Sequence, residues 1–332
     1  MRRTLSIACL IIGFAAVTFA QEDEFVPLPT IKVEKQVRLR RDPSTRKPGV
    51  RVLKTASELR LLDENPVGGF YRVIFGKGKL GWVWLKNMGT PIQAMATAPA
   101  AGANCPASLG ACPEIGCAQS ETAQAVFNST KRRPPMGTNA RTLTFANFRT
   151  LQQQADNLVG QRLELSQADR NKLINLSLSG GSVREGKLVR LSGFIAEGLE
   201  PHANSGESVN CKLPKAAEND FHISIAPHAG DDEFKSIVVE MIPQDRNPGW
   251  TLAKLKSISE QKKRVLVVGA LFYDNIHTVN DDAAHPLQRQ PKRIALWELH
   301  RVVKFFVCTK AANNCNASST AAGSGWKPLE NF

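Results

Sequence analysis

Apolar and polar positions follow three different rhythms along this chain. Between residues 31 and 88 they alternate in short runs, at 37–40, 50–53, 59–62, 70–75 and 80–85. Asp42-Pro43-Ser44, Lys47-Pro48-Gly49, Glu64-Asn65-Pro66 and Gly76-Lys77-Gly78 separate these runs. Period-two alternation bounded by Pro, Gly, Asn and Asp predicts strands joined by tight turns. Five short antiparallel strands in so little chain predict a small barrel. Its closing run, Gly81-Trp82-Val83-Trp84-Leu85, predicts a strand that packs one face and displays the other. A helical rhythm follows at 144–158 and 166–178, the second segment opening on Ser166 with Asp169 three residues later, a form of capping box. From residue 186 to 308 strands return, at 187–195, 221–226, 237–242, 264–273 and 295–307. A helix at 250–262 interrupts them, with Leu252, Leu255 and Ile258 spaced by three.

The chain therefore reads as mainly β with some α. Its expected divisions are a leader at 1–20, a small barrel at 31–88, a linker at 89–140, a helical segment at 141–182, a second barrel at 183–310 and a tail at 311–332. Three strands, a helix and two strands is the element order of an OB-like five-stranded barrel. The linker is expected to hold a cysteine cluster between the low-complexity run 95–103 and the basic, Pro-rich run 131–139.

Arg40-Arg41-Asp42-Pro43-Ser44-Thr45, Phe70-Tyr71-Arg72-Val73 and Gly81-Trp82-Val83 together resemble the bacterial SH3 (SH3b) domain. Asp42 stands where glycine is common in that family, and aspartate tolerates turn geometry. The resemblance spans about 31–88 and implies a small barrel that binds cell-wall peptide, glycan or an envelope protein without catalysis. Tyr71, Trp82 and Trp84 are the ligand-binding residues expected from it. Further on, Glu207-Ser208-x-Asn210-Cys211, Asp220-x-His222 and Trp297-Glu298-Leu299-His300 resemble a segment of uncharacterised exported bacterial proteins with an OB-like barrel. Arg301 stands where proline is common there, and the resemblance implies no activity.

Composition narrows the compartment. Arg2 and Arg3 precede an apolar run at 7–14, and Ala20 precedes Gln21-Glu22-Asp23-Glu24. That is the pattern of a cleavable secretory signal, with an apolar run too short to span a bilayer. The expectation is an exported protein, periplasmic, envelope-bound or secreted, with no transmembrane segment. Beyond the leader stand Cys105, Cys112, Cys117, Cys211, Cys308 and Cys315, an even number that predicts disulfides. Six cysteines allow about 15 pairings. Spacing favours a bridge from the cluster to Cys211, and Cys308 and Cys315 bracket a loop they could close. Zinc is the competing reading, for which only Cys112 and Cys117 have ligand spacing. The formal charge of +13 favours anionic partners. The basic residues read as dispersed, with Lys131-Arg132-Arg133 the densest run.

The sharpest chemistry lies in the second barrel. Residues i and i+2 of a strand share a face, so Asp220 goes with His222 and Glu298 with His300. In the expected strand order the strand carrying Glu240 lies between those carrying His222 and His300. His222, Glu240 and His300 are thus candidate ligands for a divalent metal such as zinc, which would activate water. Asp274 and His277 are candidate supporting groups, or an acid and a base. No His-Glu-x-x-His, Gly-x-Ser-x-Gly, P-loop or dinucleotide motif occurs. Asp231-Asp232-Glu233 and Asp281-Asp282 lack the spacing of a calcium loop. The aromatic residues of the second barrel read as core, which argues against nucleic acid. The expectation is a non-enzymatic envelope-binding protein without a cofactor. A metal-dependent hydrolase using His222, Glu240 and His300 is the alternative.

Overall fold

The structure, a computed structural model, describes residues 30–92, except 42, 47–48, 62–65 and 76–78, and residues 105–332, except 161, 205, 278, 280–292 and 321–322. The leader at 1–20, parts of the turns at 42–48, 64–65 and 76–78, the low-complexity run 95–103 and Asp281-Asp282 lie outside the described residues. The chain is mainly β with a few helices, as its rhythms predict.

In the N-terminal module, strands β1 (Thr30–Lys32), β4 (Glu58–Leu61), β5 (Phe70–Phe75) and β6 (Lys79–Trp84) form one sheet in the order β1-β4-β5-β6. Strands β2 (Val37–Leu39) and β3 (Arg51–Leu53) form a hairpin. It joins the sheet where Arg40 and Trp82 exchange backbone hydrogen bonds, each 2.9 Å. Ile31, Leu39, Leu61, Val73 and Val83 are fully buried in the shared core. Strand β1 was not expected; it buries only Ile31, so no alternation betrays it.

The segment read as a linker is structured in its second half. Helix α1 (Ala123–Lys131) starts where the Thr122 side chain accepts from the Ala125 amide, and strand β7 (Met136–Thr142) follows. Helix α2 (Phe145–Val159) carries a capping box between Thr144 and Asn147. The helix expected at 166–178 is a correction. After the single turn α3 (Gln167–Arg170) the chain makes a 3₁₀ turn. A hairpin of β8 (Leu176–Leu178) and β9 (Gly181–Val183) follows. Gly180 and Gly181, at φ +85° and +109°, supply a turn that helical residues would not adopt.

Five strands then close into a barrel. They are β10 (Lys187–Ile195), β12 (Phe221–Ala226), β13 (Ile237–Met241), β14 (Arg264–Tyr273) and β15 (Trp297–Cys308). The short strand β11 (His202–Ala203) precedes β12, and helix α4 (Leu252–Glu260) lies between β13 and β14. Hydrogen bonding runs β10-β12-β13-β15-β14 and back to β10. Only the β13–β15 pairing within this ring is parallel. Strand β10 serves two neighbours on one edge, β7 along its first half and β12 at Phe194 and Ile195. Gly193 permits that crossing, because a Cβ there would lie 2.4 Å from the Ala226 carbonyl oxygen. Phe221, Ile223, Val239, Val267, Leu299 and Phe305 point into the core.

The segment read as a tail belongs to this unit. Strand β16 (Trp326–Pro328) pairs with β15, Leu329 is fully buried, and Trp250 Nε1 donates to Glu330 Oε2 at 2.8 Å. The six cysteines form Cys105–Cys117, Cys112–Cys211 and Cys308–Cys315. Among the described residues no helix is long and apolar enough to cross a membrane.

Candidate functional site

Alternation along the barrel strands sends every second side chain outward. His222 on β12, Glu240 on β13 and His300 on β15 fall opposite one another in register, His222 against Glu240 and Glu240 against His300. Two imidazoles therefore flank one carboxylate, the juxtaposition expected from the strand order. Helix α1 and the cystine-linked segment cover this row. Phe127 packs edge-on against Phe272 at 5.3 Å, and the Phe272 ring lies 5.5 Å from that of His300. Asn128 Nδ2 donates to the Ile115 carbonyl at 2.8 Å and to Ser208 Oγ at 3.1 Å. Arg132 donates to the Pro113 carbonyl at 2.8 Å. The disulfide Cys112–Cys211 ties the covering segment to the loop before β12. Gly116, at φ +58°, lets the two meet, since a Cβ would lie 2.0 Å from the Ser208 carbonyl oxygen.

The last residue of α1 completes the centre. Lys131 is 1% exposed, with Nζ 2.9 Å from Glu240 Oε2 and 3.7 Å from Asp220 Oδ2. His300 Nε2 lies 3.0 Å from both of those oxygens, and its Nδ1 is 2.7 Å from the Lys131 carbonyl. Both ring nitrogens face acceptors, so the ring is held as the imidazolium. Burial opposes that charge, but the Glu240 and Asp220 carboxylates outweigh it and raise the His300 pKa. Burial likewise opposes ionisation of Glu240 and Asp220. The positive charge of His222, Lys131 and His300 holds Glu240 well below the usual carboxylate range, and His300 and Lys131 hold Asp220 below it.

His222 Nε2 addresses the other oxygen of Glu240, at 3.3 Å, and lies 3.6 Å from Glu207 Oε1. Glu207 Oε2 accepts from the Asp220 amide at 3.0 Å and from Asn210 Nδ2 at 2.6 Å. Asn210 also donates to Asp220 Oδ1 at 3.0 Å. The tight donor triangle is thus Asp220, Glu240 and His300, whose ligand atoms lie within 4.8 Å of one another. His222 is outside it, a correction to the expected set. The chemistry of these donors suits a divalent ion, and the carbonyl of Lys131 would fix the ring orientation. The Lys131 ammonium, however, already stands in the cation's place.

A neighbouring buried cluster takes Glu298 away from His300. Arg293 pairs with Glu298 and, at 3.0 Å, with Asp274, which also binds His277 Nδ1. Burial and the nearby Asp274 charge push the Glu298 carboxyl well above its usual value. Asp274 and His277 therefore support Arg293 and Glu298 rather than the triangle. Elsewhere, an open depression of about 530 Å³ between α1 and α3 is lined by Asp169, which lies 2.5 Å from Arg162 and 2.7 Å from Lys172, and by Glu121 and Glu164.

In the N-terminal module the three expected aromatic residues divide. Tyr71 pairs with Val83 and packs into the core, so it lines no surface, which corrects the expectation. Trp82 and Trp84 point outward. Trp82 is 7% exposed, with the Arg72 guanidinium 5.7 Å from its ring centre, and Trp84 is 38% exposed, its ring tilted by 44° against that of Phe70 at 5.6 Å. Lys131, Asp220, Glu207 and Asn210 are the residues that sequence reasoning left out of its site. The four-residue spacing of Phe127 and Lys131 on a helix is the signal that would have placed Lys131 on a buried face. Compared with known proteins, the chain matches no family model, no curated protein and no solved structure.

Proposed function

We propose that this is an exported, non-enzymatic binding protein of the cell envelope, in which an SH3b-like N-terminal module carries the ligand and an OB-like barrel serves as a structural body. The observation that carries this reading is the position of Lys131. The donor triangle of Asp220, Glu240 and His300 is closed by the chain's own ammonium, beneath a helix and a disulfide, at no more than 2% exposure. A group that must reach substrate needs an open position. The signal-like leader and three disulfides support export. The ring order of the barrel, with its parallel β13–β15 pair and a helix before β14, supports the OB-like reading. Retention on purified peptidoglycan at low salt is the test. Full-length protein is expected to be retained and Trp84→Ala to be released. Failure of both to bind, or equal retention of the two, would overturn the reading.

The donor triangle favours one second reading, a metal-dependent hydrolase in which Asp220, Glu240 and His300 hold a divalent ion after Lys131 withdraws. The ion would supply an activated water. Protein purified without chelator would then carry about one equivalent of divalent metal, and a content below about a tenth ends this reading.

A further inference from the structure

Four of the six bridged cysteines meet in one place. Cys105–Cys117 closes the covering segment on itself across twelve residues, whereas Cys112–Cys211 joins that segment to the loop before β12. The two bridges pack together with Leu109 and Leu213 in a small apolar cluster. The sulfurs of Cys105, Cys117 and Cys211 lie within 4.8 Å of one another, and Cys105 Sγ is 2.9 Å from the Cys211 carbonyl oxygen. The Cys117 amide donates to the Ser208 carbonyl at 3.0 Å, which holds the turn carrying Cys211 against the segment. Exposure separates the two bridges. Cys105 and Cys117 are half-buried, whereas Cys112 is 7% and Cys211 3% exposed. Cys308–Cys315 closes a short loop at the end of β15 and stands outside this cluster.

A thiolate opens a disulfide only by reaching one of its sulfurs, so a buried bridge yields more readily to a neighbouring thiolate than to one in solution. A dissolved dithiol meets the half-buried pair first. It delivers two electrons and two protons, closes to its own disulfide and leaves Cys105 and Cys117 as thiols. The Cys105 thiolate then attacks Cys211 Sγ. The Cys105–Cys211 bond forms, the Cys112–Cys211 bond breaks, and Cys112 departs as a thiolate that takes up the proton Cys105 released. This second step consumes no electrons. We propose that these four cysteines form a redox-sensitive fastening, in which a dithiol reductant enters at Cys105–Cys117 and the exchange moves the anchor of the covering segment from Cys112 to Cys105. The new anchor lies seven residues farther from α1. Up to about 20 Å of chain is thereby added between anchor and helix. Helix α1, which brings Lys131 onto Glu240, is then held more loosely without being released. This goes beyond the envelope-binding reading and does not depend on it.

Full-length protein treated with graded dithiothreitol, quenched in acid, alkylated and mapped by peptide mass spectrometry tests the exchange. The expected first product carries a Cys105–Cys211 bridge, with Cys112 and Cys117 alkylated and Cys308–Cys315 intact. Alkylation of Cys112 and Cys211 together, with Cys105–Cys117 intact, overturns the route. A Cys117–Cys211 bridge as the first product overturns the assignment of Cys105. In the double variant Cys105→Ser with Cys117→Ser, alkylation of Cys112 is expected to slow about tenfold or more, and an unchanged rate overturns the entry point. Cys308→Ser with Cys315→Ser is expected to change that rate less than about twofold, and an equal slowing overturns the local cluster. The wild-type map decides by itself where a variant fails to fold. Amide hydrogen exchange over residues 123–131 is expected to be about tenfold faster in the exchanged form than in the oxidised protein, and equal rates overturn the loosening.

Discussion

The N-terminal module and the C-terminal barrel carry charge on the same part of a strand, the outward positions, and treat it in opposite ways. In the module, Arg38 and Arg40 point away from a wholly apolar core, and Arg38 remains exposed. In the barrel, His222, Glu240 and His300 occupy equivalent outward positions but lie under α1, with Lys131 as counter-charge. Outward direction alone does not make a surface. Whether the chain supplies a cover with matching charge decides between a recognition face and a buried joint.

Three measurements break or sharpen that contrast. The largest effect is expected at the joint. Lys131→Met leaves Glu240 and Asp220 with less compensation and should cost about 3–5 kcal/mol in urea unfolding. Arg38→Met should stay within about 0.5 kcal/mol. A Lys131→Met cost under about 1 kcal/mol would erase the distinction. Next comes the split within the module. Tyr71→Ala should cost about 3 kcal/mol and Trp84→Ala about 1 kcal/mol or less, since one empties core and the other sheds a half-exposed ring. Equal costs would mean that Trp84 is structural. The smallest effect is a pH dependence. His300 has its pKa raised above the usual 6.5, so its stabilisation is complete below that pH and is lost as pH rises through the raised value. Glu240 and Asp220, depressed, stabilise above their usual values and lose this as pH falls. Glu298, raised, acts with His300 in direction. Melting temperatures on the alkaline side should therefore fall by a few degrees more in the wild type than in His300→Gln. Parallel curves would show that the imidazole is neutral in the fold.

Much of the barrel is legible in the sequence because strands such as Arg264–Tyr273 are nearly continuous apolar runs, and a five-strand order follows from their spacing. That order was enough to bring His222, Glu240 and His300 into one row. For Lys131 the spacing from Phe127 marks a buried helix face, but its partners are not legible. It sits in a basic run that looks solvated, 89 residues before Asp220, and no local pattern links them. The same limit hid β16, a three-residue strand whose only reason to exist is its pairing with β15. Tyr71 was misread for a different reason. Residue type grouped it with Trp82 and Trp84, whereas hairpin register pairs 70 with 84 and 72 with 82 and turns 71 inward. Parity carries the face, and residue type does not.

The helix that covers the barrel can also be viewed as a ligand on a leash. The covering segment is tied twice, by the chain through β7, which pairs with β10, and by Cys112–Cys211 to the barrel's own loop, so the local concentration of α1 is that of a tethered group, about millimolar or more. A free molecule competing for the same face at micromolar concentration would need about a thousandfold better intrinsic affinity to reach half occupancy. Reducing Cys112–Cys211 removes one of the two ties and lowers that threshold, while the chain through β7 remains.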